Sequence, residues 1–389
     1  MYKIQTLNKI STIGLELLPR DEYEVASEIM NPDAILVRSA SMLTMDIPAS
    51  VKAIARAGAG YNNIPVSACS GKGIIVFNTP GANANGVKEL VIAGLLLSSR
   101  RLVPGIIWAK GLVGKGDEVP KLIEKGKTDF AGPEIKGKRL GIIGLGAIGV
   151  MVANDAVELG MKVTGYDPFI SVDAAWGLSR TVKRSRGLEG LLEEADYVSL
   201  HVPLSDQTKG MINAERLAIM KKGARLLNFA RGGLVNNADL KKALAEGQIE
   251  AYVTDFPDEE ILKLDKVVAF PHLGASTPEA EDNCAVMAVN QIRDFLENGN
   301  IRNAVNYPDC DMGRVRGTRV LIAIKNVPNM VGQITTILAA ESLNIADMIN
   351  KSRGDFSYNI IDIDGTINES MIAKLKGISG VIMVRVIKP

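Results

Sequence analysis

One stretch limits the architecture more than any other: RLGIIGLGAIGVMVANDAVELGMKVTGYDP, from Arg139 to Pro168. An apolar run, Leu140 to Ile143, stops at Gly144-Leu145-Gly146-Ala147-Ile148-Gly149. A stretch with helical spacing follows, and a second apolar run ends at the acid Asp167. Strand, glycine turn, helix and strand in that order make a parallel β-α-β unit. The alternation continues on both sides. Ala34–Val37, Ala53–Ala57, Ile74–Phe77 and the long Val87–Ser98 segment precede it; Lys162–Tyr166, Tyr197–Leu200, Arg225–Phe229, Ala251–Thr254 and Val267–Ala269 continue it. The pattern predicts an α/β chain with two doubly wound domains, Rossmann-like or flavodoxin-like, the second on a sheet of six strands.

At 389 residues the chain exceeds one ordinary core, since domains usually run to about 100–200 residues. Residues 101–138, rich in Gly and Lys, read as a crossover, so the glycine motif opens a second domain spanning 101–279. Pro278–Leu296 has helical spacing, and chains of this plan often return their last helix to the first domain, here 1–100 with 280–310. After a linker, residues 317–389 follow a β-α-β-β-α-β order, the signature of a small ferredoxin-like unit.

Basic and acidic residues nearly cancel, 45 against 44, so no global field favours nucleic acid or a membrane surface. Any anion site is therefore local. The cysteines, Cys69, Cys284 and Cys310, lie far apart and fit no metal-ligand spacing, so no metal is expected. The N-terminus lacks an apolar signal core, and no apolar run approaches the ~20 residues that span a bilayer. The expectation is a cytoplasmic protein with a small-molecule partner.

The glycines point to that partner. Gly144 permits a tight turn, Gly146 lets a pyrophosphate approach the backbone, Gly149 allows close helix–strand packing, and the helix start offers free N–H groups to the anion. Asp167, ~20 residues on, can accept hydrogen bonds from ribose hydroxyls and repel a 2′-phosphate, which selects NAD over NADP. The plainer readings are a structural glycine turn and, because Pro168 follows it, a helix-capping Asp167. A dinucleotide also needs a proton acceptor and a cation beside it. The chain has two histidines. His272 follows the last apolar run, where open α/β sheets place their ligand crevice. His201 ends another strand, with Pro203 turning the backbone along the cofactor. Arg231, at a strand end before two glycines, has room to grip a planar carboxylate bidentately. Of the acids Asp258, Glu259 and Glu260, one can hold the imidazole, or all can form a solvated turn.

The strings GIIGLGAIG…YDP, NFARGGLVN, TDFPDEE and PHLGASTPEAEDN, in this order, resemble the signature set of the D-isomer-specific 2-hydroxyacid dehydrogenases. The terminal unit resembles an ACT domain, a ligand-sensing module. The resemblance implies catalytic Arg231, Glu260 and His272. Ungapped counting from Arg231 lands on Glu260, while a one-residue gap at DFP, where the family commonly has D-V-F, would choose Glu259. It places Ala147, Ile148, Phe229, Ala230, Asp255, Gly274 and Ala275 around NAD, and the backbone of AGAGYN, with Ala59 and Gly60, at the substrate carboxylate. It implies hydride transfer between NAD and a 2-hydroxy acid. Glyoxylate, hydroxypyruvate, lactate and 2-hydroxyglutarate remain open as substrates, and so does a corepressor-type protein that only senses NAD.

A phosphorylated 2-hydroxy or 2-keto acid would need basic groups beyond Arg231. Arg38, beside Ser39 in LVRSASMLT, resembles an arginine that meets a substrate phosphate. Lys88, at the first turn of an apolar helix, opposes the helix dipole and so needs another reason to be there. Arg56 is a weaker candidate. Asn326, Pro328, Gly332 and Asn344 match the loop where ACT domains hold amino acids, whereas Ile324 and Asn329-Met330 depart from it. The exposed edge strand of such a unit favours a homo-oligomer, dimer or tetramer.

Overall fold

The computed structural model describes residues 1–388. They form two compact units, one of residues 1–83 with 278–388 and the other of Ala84–Thr277. In the first unit, β1 (Tyr2–Thr6), β2 (Tyr23–Ala26), β3 (Ala34–Val37), β4 (Ala53–Arg56) and β5 (Ile75–Phe77) form a parallel sheet in the order β2-β1-β3-β4-β5. Strands β3 and β5 are buried along their whole length, which is why they read as continuous apolar runs. Strands β1 and β2 have mixed burial and escaped the pattern. The order is flavodoxin-like, and its switch point lies between β1 and β3.

The second unit carries β6 (Arg139–Ile143), β7 (Lys162–Tyr166), β8 (Lys183–Arg184), β9 (Tyr197–Leu200), β10 (Ala224–Asn228), β11 (Ile249–Thr254) and β12 (Val267–Ala269). The sheet has seven strands, not six, in the order β12-β11-β10-β9-β6-β7-β8. The extra one is a two-residue exposed edge made of Lys and Arg, with no apolar signal to betray it. The order reverses between β6 and β9, so the glycine turn after β6 lies at the topological switch point.

The domain boundary also moves. The Ala84–Ser99 helix, read with the first domain, buries Val87, Val91 and Leu95 against Leu140, Ile142, Phe229 and Val253 of the second. The break therefore falls before residue 84, where apolar area is better covered. Beyond that helix, the helices Leu102–Lys110 and Val119–Gly126 contain no buried residue.

In the first unit, β13 (Thr318–Lys325), β14 (Asn344–Arg353), β15 (Phe356–Asp364) and β16 (Val381–Ile387) make an antiparallel sheet in the order β14-β15-β13-β16, with helices Met330–Ala340 and Glu369–Lys376 between them. This is the expected ferredoxin-like unit, but it is no separate body. Val320, Ile322 and Ile324 face its own helices, while Leu321, Ala323, Tyr358 and Ile360 join the core around Phe77 and Phe295. Among the described residues, no single helix is long and apolar enough to cross a membrane.

Candidate active site

In the second unit the candidate residues gather at the carboxyl end of one sheet. Gly144 has φ +94°, and a Cβ there would lie 2.6 Å from the His201 carbonyl oxygen. At Gly149 a Cβ would lie 2.0 Å from the Gly144 oxygen. At Gly146 an added Cβ would meet nothing within 4 Å. Two of the three glycines are thus dictated by packing; the middle one borders open space. Gly146 is also the N-cap of the Ala147–Glu158 helix and offers no capping side chain. Space and uncapped N–H donors, from Ala147 and Ile148 onward, together fit a pyrophosphate. Asp167 accepts from the Leu145 N–H through Oδ2 and from the Phe169 N–H through Oδ1, both at 2.8 Å. Its carboxylate is held against the glycine turn and caps no helix, since Ser171 is the N-cap of the helix that follows.

After β9, the His201 N–H donates to the Ile143 carbonyl at 2.7 Å. Its ring Nε2 lies 2.9 Å from Ser199 Oγ, and desolvation lowers its pKa to about 4. The ring is therefore neutral at physiological pH. The Pro203 carbonyl accepts from Thr208 Oγ1 at 2.6 Å, closing the turn that follows.

After β10, buried Asn228 shapes the next loop. Its Nδ2 donates to the Arg231 carbonyl at 2.9 Å, and its Oδ1 accepts from the Ala230 N–H at 3.2 Å. Phe229 is buried against Phe270, so Ala230 and Arg231 turn outward. The exposed Arg231 keeps Nη1 on the Ala230 carbonyl at 2.7 Å. Asn228 was not singled out from sequence; a polar residue ending an apolar run was the available signal.

After β11, Asp255 is buried at 3% exposure. Burial pushes its carboxyl above the ordinary range, while His272, the Gly274 N–H and Arg231 pull it back. His272 lies exposed after β12, its ring against Phe256 with centroids 4.6 Å apart. Gly274 is buried and Ala275 half-buried beside it. Glu260 departs from its expected place: it pairs with Lys263 at 2.7 Å and Lys241 at 3.6 Å. Glu259 pairs with Lys263 at 3.1 Å. Asp258 caps the short helix that carries both, by accepting from the Ile261 N–H.

Lys88 has its own salt bridge, 2.8 Å to Asp155 on the glycine-motif helix. Its unfavourable place at a helix start is thereby explained by helix–helix packing, without a substrate. In the first unit, Asn8 Oδ1, just past β1, accepts from the N–H groups of Arg38, Ser39 and Ala40 at 2.9–3.1 Å. This fixes the turn at the switch point. Arg38 pairs with Glu281 at 2.7 Å, with both side chains partly exposed. Arg56 donates from Nε to the Arg38 carbonyl at 3.0 Å, and its guanidinium lies beneath Gly58 and Gly60. Asn78 Nδ2 holds the Ala59 carbonyl at 2.6 Å. A cleft of about 870 Å³ along the Pro278–Asn298 helix of this unit contains none of the candidate residues. Among the described residues, no cluster of three or more His, Cys, Asp or Glu is placed to hold a metal ion.

Residues 108–274 match the family model of the D-isomer specific 2-hydroxyacid dehydrogenase, NAD binding domain. The D-3-phosphoglycerate dehydrogenase of Haemophilus influenzae is 31% identical over 388 residues, covering 94% of this chain and 89% of that protein. This chain belongs to the D-isomer-specific 2-hydroxyacid dehydrogenase family. Within it, the D-3-phosphoglycerate dehydrogenase of Methanocaldococcus jannaschii is 35% identical, over 84% of this chain and 61% of that protein. That of Bacillus subtilis is 33% identical, over 79% and 59%. The chain thus spans about three fifths of the length of these two relatives. Among solved structures, NAD+-bound 3-phosphoglycerate dehydrogenase of Entamoeba histolytica is similar at TM-score 0.60 and 29% identity, over 78% of this chain and 98% of that one.

Proposed function

We propose that this chain oxidises D-3-phosphoglycerate to 3-phosphohydroxypyruvate with NAD, the opening step of L-serine synthesis. The observation that carries the reading is the pairing of an open Gly146 cradle with Arg231 and His272 at the same sheet end. Residues 144–149 would hold the pyrophosphate and Asp167 the adenine ribose, with His201, Pro203, Phe229, Ala230, Asp255, Gly274 and Ala275 along the wall. NAD, when bound, supplies the hydride acceptor. His272 takes the proton from the C2 hydroxyl as the C2 hydride departs, so the alcohol loses both and becomes the ketone. Arg231 anchors the carboxylate with paired N–H donors. Ala59 and Gly60 offer backbone to the same carboxylate, and Arg38 with Ser39 meets the phosphate. The imidazolium donates in the reverse direction, so reduction of the keto acid gains as pH falls.

The test is an NADH-oxidation panel of phosphohydroxypyruvate, hydroxypyruvate, 2-oxoglutarate and pyruvate. The phosphorylated acid is expected to turn over fastest. Silence across the panel would favour a protein that only senses NAD. Arg38→Ala should raise KM for phosphohydroxypyruvate about 10- to 100-fold and barely change it for hydroxypyruvate. Equal losses for both would assign Arg38 to the fold.

A homo-oligomer in the cytoplasm fits the remaining features. All three cysteines are free and buried. Ile106, Ile107 and Val113, exposed at 54%, 67% and 87%, give the 102–113 segment apolar surface that a second copy would cover. Light scattering that returns the 41.7 kDa monomer at micromolar concentration would refute the oligomer. An amino-acid effector at the terminal unit would have to displace bonds already made there, since Asn326 and Asn344 donate to the Gly354 carbonyl and the Asp364 carboxylate. Millimolar serine added to the assay tests it directly.

A further inference from the structure

The first sheet ends at β5, and an end strand offers unpaired backbone groups. Residues 303–306 cover it. The Val305 N–H donates to the Val76 carbonyl at 2.8 Å, and the Asn78 N–H to the Asn303 carbonyl at 3.3 Å. Buried Asn306 completes the pairing, accepting from the Val76 N–H at 2.9 Å and donating to the Ile74 carbonyl at 2.8 Å. This segment is in turn gripped by the terminal sheet. Arg353, at the end of β14, donates from Nη1 to the carbonyls of Ala304 and Tyr307, and the Tyr307 ring packs on Phe356 of β15 with centroids 5.5 Å apart. Just past β5, Asn78 carries the contact to the loop after β4. Its Nδ2 holds the Ala59 carbonyl at 2.6 Å, the neighbouring Thr79 N–H donates to the Gly58 carbonyl at 3.2 Å, and its own carbonyl accepts from buried Gln291 at 3.0 Å. Successive hydrogen bonds, Arg353 to Ala304, Asn78 to Asn303 and Asn78 to Ala59, thus join the terminal sheet to that loop.

We propose that Arg353 of the terminal sheet is a positioning residue for substrate binding: it fixes residues 303–304 and, through Asn78, the Ala59–Gly60 backbone that receives the carboxylate. The Ala59 carbonyl and the Gly60 N–H belong to one rigid peptide plane. A bond that holds the carbonyl therefore aims the N–H, and Gly60 has no side chain to restrain that plane in another way. Hydrogen bonds to a carboxylate weaken steeply when the donor is misdirected, so a preset plane favours binding. Arg353 is exposed and borders an open cleft of about 540 Å³, lined also by Tyr61, Asn78, Asn303 and Ser352. Its loss should free the loop without opening the core. The role in turnover rests on the reaction proposed above, whereas the holding of the loop does not.

Hydrogen exchange followed by mass spectrometry tests the holding without any substrate. In Arg353→Met the amides of residues 58–62 should exchange at least about threefold faster, because a loop opens more often once its tether is cut. Arg353→Lys should restore part of the protection. Arg302→Met, which removes an exposed pair with Asp311 near the same segment, should leave exchange at 58–62 unchanged. In the reduction assay, Arg353→Met should raise KM for the keto acid about 3- to 10-fold, with kcat and NADH affinity within about twofold. Asn78→Ala should act likewise, and the double variant should add little more, since both cut one chain of bonds. Unchanged exchange at 58–62 in Arg353→Met overturns the proposal. So does exchange that quickens throughout the unit, since Arg353 would then only support the fold. An unchanged KM in an active enzyme, or effects of the two variants that multiply, overturns it as well. Faster exchange at 58–62 with a silent substrate panel upholds the positioning and refutes the reaction, so the two failures are distinguishable.

Discussion

His201 and His272 both follow strands at the carboxyl end of one sheet, yet their surroundings assign them opposite behaviour. His272 is exposed with its ring against Phe256, whereas His201 is desolvated and lies against Ser199. From sequence both are polar residues after an apolar run, and only burial separates them. A consequence concerns stability. The folded pKa of His201, about 4, lies below the unfolded value, ~6.5. Between those values the unfolded chain binds a proton that the folded chain refuses. Stability is therefore lost as pH falls from ~6.5 to ~4, by on the order of 3 kcal/mol in all. Urea unfolding at pH 7.5 and 4.5 should show a smaller loss for His201→Gln than for the parent, and an equal loss would mean that the ring is solvated. Arg38 and Lys88 repeat the lesson. Each is a basic residue at the edge of an apolar segment, but Arg38 pairs with Glu281 at a switch point, whereas Lys88 is tied to Asp155 between two helices.

At the scale of the element, the glycine turn is the most legible feature, and its glycines differ in what they answer: Gly144 and Gly149 meet close backbone, whereas Gly146 borders open space. That makes the roles separable. Gly149→Ala would drive a methyl group to 2.0 Å from the Gly144 carbonyl. It should cost at least about 1–3 kcal/mol, as overpacking does. Gly146→Ala meets open space at a residue with φ −78°. It should leave the melting temperature unchanged and weaken NADH about tenfold or more, because the methyl group would stand where the pyrophosphate approaches. Thermal melts and NADH fluorescence titrations of the two variants should show this crossed pattern. If both lose only stability, the cradle reading is wrong. Elements without a periodic apolar face were illegible. Strand β8 is two exposed cations, and the Leu102–Lys110 helix is apolar on several sides yet contains no fully buried residue.

Across the whole molecule, the terminal sheet reads as a separable domain and folds as part of the first unit. Its anchors are polar groups with little pattern to announce them. Arg319 is 1% exposed and forks onto Asp362 at 2.6 and 2.8 Å, while Nη1 reaches the carbonyls of Asn298 and Gly313, each at 2.8 Å. Arg385 lies 4.5 Å over the Phe295 ring, and the Tyr358 hydroxyl donates to the Gly299 carbonyl at 3.1 Å. Removing one member of a buried pair strands its partner. Arg319→Met should therefore cost about 3–5 kcal/mol. Adding Asp362→Leu should recover part of that loss, since the remaining carboxylate is the main penalty. Denaturant unfolding of both variants tests the prediction, and a single-variant loss below about 1 kcal/mol would mean that the pair is solvated.

What the sequence determined by itself was local. Apolar period, glycine spacing and strand-end polarity follow from steric and hydrogen-bonding rules that act over a few residues, and they were enough for the α/β class, the dinucleotide turn and the positions of Arg231 and His272. Tertiary structure decided what depends on residues distant in the chain. It set Lys263 and Lys241 against Glu260 and buried Asp255 just past β11. It paired Lys88 with Asp155 and moved the Ala84–Ser99 helix into the second unit. Burial and ion pairing arise only when separate elements pack, so no short-range pattern carries them.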